Sequence, residues 1–360
     1  MVFLYICNLF GYERNDVIME KKELYRRVGC AEQLFGARNM KLSGGKAEGM
    51  NVIEIYNASG MQAMVLPDRG MDIACLKLGG TNISFLSKTG LTGSKYFTEN
   101  GAKGFLRSFY VGFLTTCGLT YMGAAGKDGE DELGLHGLIS NTPAEELGTR
   151  IDWEGNMPAV VVTGSVKQAE VFGEHLVLRR TITMPAYKNE IIISDCIENR
   201  GLTPSPFMLL YHMNYGFPFL SPDCILKVPS SSVVGRDDVA KANIAKWNCI
   251  EGPVDGGQEQ VFFHETKPDG EGNSTYCVIN PKEERAIAVT YPSTILPYLT
   301  QWKCRRSGEY VLGLEPGNCH VMGRKAARES GELSYIQPLE QKKFTIKVDG
   351  FIGKEQIRNI

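Results

Sequence analysis

The sequence predicts an all-β fold, namely one large antiparallel β-sandwich with few short helices. Short runs of β-branched and aliphatic residues recur from Asn51 onward, and Gly, Pro, Asn or Asp separates each run from the next. Glycine is abundant, with 40 among 360 residues, whereas ordinary usage is about 7%. Helical periodicity is rare along the chain. Short apolar runs separated by turn-forming residues are typical of chains built from many strands and turns.

Two segments show most clearly the alternation of strands that bury one face. Apolar residues fall on one side of the segment 176–184 and alternate with polar residues over 343–349. Successive side chains of a strand point to opposite faces, so each segment predicts one dry and one wetter face. Helices are predicted only near Glu20–Arg27 and Asp237–Trp247. The other predicted strands are Asn51–Asn57, Gln62–Leu66, Met71–Leu78, Ala159–Val166, Glu190–Ile197, Pro206–His212, Tyr276–Asn280, Ala286–Tyr291 and Tyr310–Glu315.

Composition and charge favour one globular domain. Hydrophobic residues make up 43% of the chain and charged residues 22%, with a formal net charge of -2. Nucleic-acid or anionic-membrane binding needs a clustered positive surface, so neither partner is expected. We predict a single domain over residues 19–360. We interpret residues 1–18 as an N-terminal extension, because Met19 is an equally plausible start. The apolar run Val2–Cys7 is too short to span a membrane and lacks a signal peptide's layout.

The ten cysteines are scattered, and no two of them form a Cys-x-x-Cys pair. Metal-binding motifs built on paired cysteines are therefore not expected, and no metal site is predicted. In a chain of this length, scattered cysteines are typical of a reducing compartment, where they act as small buried hydrophobes. We expect a cytoplasmic protein without a cofactor, since no Gly-rich nucleotide turn or βαβ rhythm occurs either. The oligomeric state stays open, with a homodimer as one candidate.

Two of the five histidines stand out as candidates for acid-base chemistry. His136 lies between glycines that allow a ligand to approach its imidazole. His212 lies in an apolar run, and period two places Asn214 on the same face of that strand. The alternative for each histidine is a hydrogen-bonded residue of the core. Histidine is the side chain best suited to proton transfer near neutral pH.

A late carboxylate is the third candidate. Glu315 ends an apolar strand, and the proline that follows holds it in an extended conformation. Alternation places Gly313 on the same face, which leaves room beside the carboxylate. Burying such a carboxylate is costly unless it is functional or paired. A salt-bridged strand end is the alternative interpretation.

Four further residues are candidates for holding a ligand rich in hydroxyl groups. The guanidinium groups of Arg69 and Arg107 can each fix such a ligand in a defined geometry, or can clamp a turn. Trp302 suits the apolar face of a sugar, although a buried position is the more common one for tryptophan. Gln301 beside it offers an amide to hydroxyl groups.

The order of His136, His212 and Glu315 resembles that of the aldose 1-epimerase (galactose mutarotase-like) superfamily, in which two histidines and a late glutamate line the cleft of a sandwich. The resemblance extends from about Arg69 to Asn318, which is most of the chain. It implies the fold strongly and a carbohydrate as the small-molecule partner. The stretches that resemble one branch of this superfamily, catalogued as a domain of unknown function, are Pro67–Asp72, Gly134–Gly137 and Leu312–Asn318.

The resemblance also implies roles for individual residues. Glu315 matches the general base and His212 the general acid of the superfamily. His136 matches the histidine near the sugar ring oxygen, and Arg69 matches an early arginine that contacts hydroxyl groups. The superfamily aspartate that grips hydroxyl groups has no clear match, and Asp72 is our substitute for it.

The chain departs from the superfamily at its second histidine. Tyr211 precedes His212 where asparagine is common, and Asn214 follows instead. We therefore expect different hydrogen bonds to align His212. Asn214 belongs to the predicted site for this reason.

Three functions are compatible with these residues. The first is an epimerase that interconverts sugar anomers by acid-base ring opening, which one carboxylate and one imidazolium can perform without a cofactor. The second is a carbohydrate-binding or regulatory protein without turnover. The third is another sugar isomerase or a lyase on the same fold, because fold alone does not fix the reaction. Whether the sugar carries a phosphate is left open.

Overall fold

The computed structural model describes residues 21–154, 157–358 and 360. The predicted extension over residues 1–18 lies outside them. The described residues form two large antiparallel sheets, two small two-stranded sheets and five short α-helices. The predicted all-β fold is therefore confirmed.

The strands and helices have the following bounds, in chain order. The first twelve strands are β1 (Gly36–Lys41), β2 (Asn51–Tyr56), β3 (Met61–Leu66), β4 (Asp72–Leu78), β5 (Thr81–Asn82), β6 (Phe85–Leu86), β7 (Val111–Gly112), β8 (Leu114–Leu119), β9 (Gly126–Asp128), β10 (Asp131–Leu133), β11 (Ala144–Asp152) and β12 (Ala159–Ala169). The others are β13 (His175–Pro185), β14 (Glu190–Asn199), β15 (Ser205–Tyr215), β16 (Ile225–Lys227), β17 (Ser230–Gly235), β18 (Gln260–Thr266), β19 (Ser274–Asn280), β20 (Arg285–Tyr291), β21 (Tyr298–Arg306), β22 (Glu309–Gly317), β23 (Ser334–Ile336) and β24 (Gln341–Ile352). The helices are α1 (Lys21–Tyr25), α2 (Gly101–Leu106), α3 (Asp238–Ala242), α4 (Arg324–Glu329) and α5 (Lys354–Arg358).

Two large sheets form the sandwich. The front sheet has the order β1-β2-β3-β4-β8-β15-β22-β21-β18-β17, with β5 beside β4 and β23 beside β15. The back sheet has the order β11-β12-β13-β14-β24-β20-β19-β16. Strands that are distant in sequence thus become neighbours in the middle of the front sheet, where β8, β15 and β22 lie side by side.

The main core lies between the two sheets. The apolar residues of the segment 176–184 are fully buried there, as are the apolar residues of 343–349. The polar residues between the latter are partly or fully exposed. The predicted dry and wetter faces of both segments are confirmed, and burial of this apolar area is the main stabilising contribution.

The sequence patterns predict the positions of the strands well, but they predict the residues at which the strands begin and end less well. The predicted strand Pro206–His212 is longer in the structure, because β15 runs from Ser205 to Tyr215 with nearly every residue buried. A strand buried on both faces lacks the alternation that marks its ends. The predicted helix Asp237–Trp247 is a short helix, α3, followed by a 3₁₀ turn, and Asp237 caps it by accepting a hydrogen bond from the Ala240 amide.

In the part of the chain that the structure describes, no helix is long and apolar enough to cross a membrane.

Candidate active site

The side chains of strand β15 point alternately to the two faces of the front sheet, one of which belongs to the core. Its odd-numbered residues from Phe207 to Tyr215 belong to the core between the sheets. Its even-numbered residues His212 and Asn214 point to the opposite face of the front sheet, as period two requires. Both polar side chains are buried, with His212 only 4% exposed. The prediction that they share a face is confirmed.

Pairing with β22 brings the late carboxylate beside this histidine. Leu210 pairs with Gly317 and Met213 pairs with Leu314, so His212 and Glu315 lie opposite each other in the same register. His212 Nε2 lies 3.3 Å from Glu315 Oε1. Directly opposed residues of antiparallel strands have neighbouring side chains. The separation of these two groups is therefore set by the backbone ladder of the sheet.

Gly313 makes room for the Glu315 carboxylate. It lies between Asn214 on β15 and Trp302 on β21, its partners in the two ladders. A Cβ atom at this position would lie 2.5 Å from Glu315 Oε1 and 3.3 Å from Asn214 Oδ1. Only glycine leaves the carboxylate in this position.

A cavity of about 670 Å³ opens above the His212–Glu315 pair. This volume lies within the range of roughly 300–1,000 Å³ that is usual for small-molecule sites. The loops around β6, α2 and β10 form walls over the front sheet. The apolar lining residues are Phe85, Phe105, Leu106, Phe109, Val111, Ala124, Leu135, Val261, Trp302, Cys304 and Val321, and the polar ones are Ser87, Lys88, Thr89, His136, His212, Arg236, Glu259, Thr300, Arg306, Glu309 and Glu315.

Asn214 fixes the protonation of the His212 ring. Its amide nitrogen donates to the His212 and Val111 carbonyl oxygens, at 2.8 and 3.4 Å. The amide oxygen therefore faces His212 Nδ1, at 2.7 Å. An amide oxygen only accepts, so Nδ1 carries a proton and donates. Nε2 is left to exchange a proton with Glu315.

Burial favours a net-neutral pair. It raises the pKa of Glu315 well above its ordinary value, and the nearby Glu259 carboxylate raises it further. Burial and the adjacent His136 lower the pKa of His212 to about 3, although the hydrogen bond that His212 Nδ1 donates to Asn214 acts in the opposite direction. Each group alone therefore favours its uncharged form. Besides the Nδ1 proton, the pair holds one proton, which either Glu315 or Nε2 can carry.

Three buried polar atoms around the cavity have no hydrogen-bond partner. They are Glu315 Oε1, His136 Nδ1 and Thr300 Oγ1. Glu315 Oε1 makes no hydrogen bond, although it lies 3.3 Å from His212 Nε2. Buried polar atoms are nearly always paired in folded proteins. These three atoms around one cavity are therefore available for hydrogen bonds with a bound molecule.

His136 enters the cavity from the loop after β10. Its backbone has φ of 60°, and its amide and carbonyl groups bond to Gly123 and Gly118. Its ring lies 5.9 Å from the His212 ring and 5.1 Å from the Phe105 ring, between centroids. Burial lowers the pKa of His136 to about 4. A neutral imidazole here can donate or accept one hydrogen bond.

A family model described as a domain of unknown function, DUF4432, matches residues 47–349. The chain belongs to the DUF4432 family. A comparison with curated proteins finds no match for this DUF4432 protein.

Solved structures share the fold. A protein from Klebsiella pneumoniae subsp. pneumoniae, provisionally named an aldose 1-epimerase, has a TM-score of 0.85 at 22% identity, over 91% of this chain and 90% of that chain. A galactose mutarotase-like protein from Clostridium acetobutylicum has a TM-score of 0.63 at 14% identity, over 89% of this chain and 99% of that chain. A galactose 1-epimerase from Lactobacillus acidophilus has a TM-score of 0.58 at 12% identity, over 89% and 100% of the chains. The DUF4432 protein therefore has the galactose mutarotase-like fold, as the sequence predicted.

Two predicted ligand contacts of the DUF4432 protein lie between the sheets or behind the cavity walls. Arg69 is fully buried, does not line the cavity, and donates to backbone carbonyl oxygens. Asp72 is also fully buried and accepts hydrogen bonds from Thr116 and Arg180. Arg180 joins it to Asp195 of the back sheet. The predicted hydroxyl contacts of Arg69 and Asp72 are wrong for this cavity, because both side chains are used to hold the fold together.

Two other predicted contacts point away from the cavity. Arg107 is exposed at the end of α2, where Phe105 and Leu106 supply the cavity wall. Gln301 lies between Thr300 and Trp302 on β21, so alternation turns it to the opposite face. There it bonds to His264 and to the Trp247 carbonyl oxygen. The expectations for Arg107 and Gln301 are therefore corrected, whereas Trp302 lines the cavity.

Most polar residues of the cavity were not predicted from the sequence, among them Thr300, Arg236 and Glu259. Thr300 had a signal, because it is two residues before Trp302 and so shares its face. Arg236 and Glu259 had none, because both lie in loops that the pairing of β17 with β18 brings together. Glu259 accepts a hydrogen bond from Arg236 at 2.9 Å and another from Trp302 Nε1 at 3.0 Å. Its carboxylate is thus fixed at the cavity rim.

No group of three or more His, Cys, Asp or Glu residues in the described ranges is arranged to hold a metal ion.

The buried His264, which bonds to Gln301, predicts a dependence of stability on pH. Burial lowers the pKa of His264 to about 4, from 6.5. The unfolded chain binds this proton as the pH falls below 6.5, whereas the folded chain binds it only near pH 4. His264 thus contributes stability that is present above pH 6.5 and is lost towards pH 4, by roughly 1.4 kcal/mol per pH unit.

We expect His264→Gln to remove this part of the acid sensitivity. Chemical unfolding measured across that pH range gives the slope for both proteins. The other ionisable groups are common to both, so their contributions cancel in the difference. Equal slopes for the variant and the native protein would contradict the assignment.

Proposed function

We propose that this DUF4432 protein interconverts the anomers of an aldose or sugar derivative by acid-base ring opening. The observation that carries the proposal is the position of His212 Nε2 and Glu315 Oε1, which lie 3.3 Å apart at the base of a sugar-sized cavity. Mutarotation needs a base for the anomeric hydroxyl and an acid for the ring oxygen. These two oxygens share one carbon, so two adjacent groups can serve both.

The reaction moves two protons in each direction. When the shared proton is on His212 Nε2, Glu315 is ionised and removes the proton from the anomeric hydroxyl, and the electron pair of that oxygen forms the aldehyde. The bond between the anomeric carbon and the ring oxygen breaks, and His212 Nε2 gives its proton to the ring oxygen. After rotation about the adjacent carbon–carbon bond, the reverse transfers close the ring on the other face. Nδ1 keeps its proton, which Asn214 accepts in a hydrogen bond throughout.

The net charge of the pair does not change during these steps. Before ring opening, the carboxylate and the imidazolium cancel, and afterwards both groups are neutral. A buried site therefore avoids the cost of creating an isolated charge. General acid-base groups contribute roughly 10²–10⁴-fold each to rate.

Other cavity residues supply binding. The unpaired atoms His136 Nδ1 and Thr300 Oγ1 suit hydroxyl groups of the sugar. Trp302 presents an apolar face, and its ring lies 5.4 Å from that of His212. We assign to Glu259 the hydroxyl-binding role that was predicted for Asp72. The names of two fold neighbours, an aldose 1-epimerase and a galactose 1-epimerase, support the reaction class.

Anomer-exchange NMR tests the proposal. Pure protein is added to equilibrated aldoses, ketoses and their phosphates, and magnetisation transfer between anomeric protons is measured. We expect accelerated exchange for at least one sugar. Binding to a sugar without accelerated exchange would reject the proposal and indicate a carbohydrate-binding protein, and conversion to a different product would indicate another isomerase or a lyase.

Gly313→Ala should impair turnover without unfolding the chain. The new Cβ would lie 2.5 Å from Glu315 Oε1 and displace the carboxylate. Displacing a catalytic group by about 1 Å costs up to about 100-fold in rate. Anomer exchange and thermal unfolding measure the two effects. Gly29→Ala is the matched control, because no atom lies within 4 Å of its new Cβ, and equal activity of the two variants would contradict the role of Gly313.

A further inference from the structure

Arg69 is a fully buried cation in the tight turn between β3 and β4. Its guanidinium makes no hydrogen bond to a carboxylate. Instead it donates to three backbone carbonyl oxygens, those of Thr92, Ser108 and Ser140. It donates through Nε to Ser140 at 2.6 Å and through Nη1 to Ser108 at 3.1 Å. The ring of Tyr110 lies against the guanidinium, with 4.9 Å to its centroid.

The three carbonyl groups belong to the segments that form the walls of the cavity. Thr92 ends the loop that carries Ser87, Lys88 and Thr89 into the lining. Ser108 is adjacent to Phe109, whose ring lies 5.3 Å from the His212 ring.

Ser140 ends the loop that carries His136. A second link joins these segments, because Ser108 Oγ donates to Asn141 Oδ1 at 3.0 Å.

The turn itself is docked on the same loop. The Gly70 amide donates to the Thr142 carbonyl oxygen at 2.9 Å. A Cβ atom on Gly70 would lie 2.8 Å from the Ile139 carbonyl oxygen, at a φ of +64°. The backbone of the turn therefore approaches the loop closely, and Arg69 extends from the turn to all three wall segments.

We propose that Arg69 is a positioning residue, which holds the three wall segments of the cavity in register over the His212–Glu315 pair. Only a guanidinium can bond three carbonyl groups in a fixed planar geometry; an ammonium group cannot reproduce it. The role differs from direct contact with a hydroxyl group. As a role in turnover, the inference rests on the proposed function.

Hydrogen exchange without any sugar tests the positioning directly. In Arg69→Lys we expect faster amide exchange in the wall segments 84–92, 105–110 and 134–141, with β13 and β14 unchanged. Arg285→Lys is the matched control, because Arg285 donates to four backbone carbonyl groups away from the cavity. Unchanged exchange in the walls, or an equal increase throughout the chain, would overturn the inference.

Kinetics with a sugar that the native protein interconverts provides the second readout. We expect kcat/KM of Arg69→Lys to fall about 100-fold, as for displaced binding groups, with the shape of the pH profile retained. Arg285→Lys should retain native values, and an equal loss in that variant would overturn the inference. If the native protein interconverts no sugar, the proposed function fails while hydrogen exchange still decides the positioning.

A milder variant covers the case in which Arg69→Lys does not fold. Ser108→Ala removes only a hydroxyl, which bonds to Asn141 Oδ1 at 3.0 Å and also lies 3.1 Å from the Phe105 and 3.4 Å from the Gly104 carbonyl oxygen. We expect faster exchange in 105–110 and 134–141 from this change also. Native exchange rates in both segments of Ser108→Ala would then overturn the inference.

Discussion

Glu315→Gln should abolish nearly all accelerated anomer exchange. The amide keeps the shape of the carboxylate but can no longer accept the proton of the anomeric hydroxyl. Loss of a general base costs roughly 10²–10⁴-fold in rate. The measurement is magnetisation transfer between anomeric protons at matched protein concentration, and sugar binding should stay measurable by titration.

The folded state of Glu315→Gln should remain intact. Burial opposes ionisation of Glu315, so a neutral side chain of the same size is acceptable to the surroundings. Thermal unfolding therefore serves as the control for misfolding. Native exchange rates in a folded Glu315→Gln would remove Glu315 from the mechanism and with it the proposed reaction.

His212→Gln is expected to have a comparable effect. Glutamine is uncharged and does not protonate at neutral pH, so the ring oxygen receives no proton from it as the ring opens. We expect a loss of roughly 10²–10⁴-fold, with binding less affected than turnover. Measured kcat and KM separate these two effects.

The double variant tests whether the two groups act as a unit. Each proton transfer requires the other, so removal of the second group should cost little once the first is gone. We expect the His212→Gln, Glu315→Gln double variant to match the slower single variant within a few-fold. Multiplication of the two single losses would instead indicate independent roles and would contradict a shared proton.

Much of the fold and the centre of the site could be predicted from local patterns. The period of two in β15 placed His212 with Asn214, and the same period in β22 placed Gly313 with Glu315. These are properties of single strands, so they can be read from adjacent residues. Resemblance to a known superfamily then linked the two strands into one site.

The remaining contacts depended on long-range packing, which local patterns do not encode. Whether Arg69 contacts a ligand or holds backbone carbonyl groups depends on where residues 92, 108 and 140 fold. Local patterns are equally uninformative for Glu259, whose position at the rim follows from the pairing of β17 with β18. Gln301 is different, because alternation with Trp302 already excluded it from the cavity.

Because His212 and Glu315 pair across neighbouring strands, the spacing of the reactive groups and the shape of the cavity depend on different parts of the protein. The proton-transfer groups are attached to neighbouring rungs of a rigid sheet, whereas most of the enclosure around them comes from connecting segments. Insertions or substitutions in those segments can therefore alter which molecule is accepted while the spacing of the reactive atoms persists. A scaffold of this kind is suited to diversification of substrate preference around an unchanged chemical step.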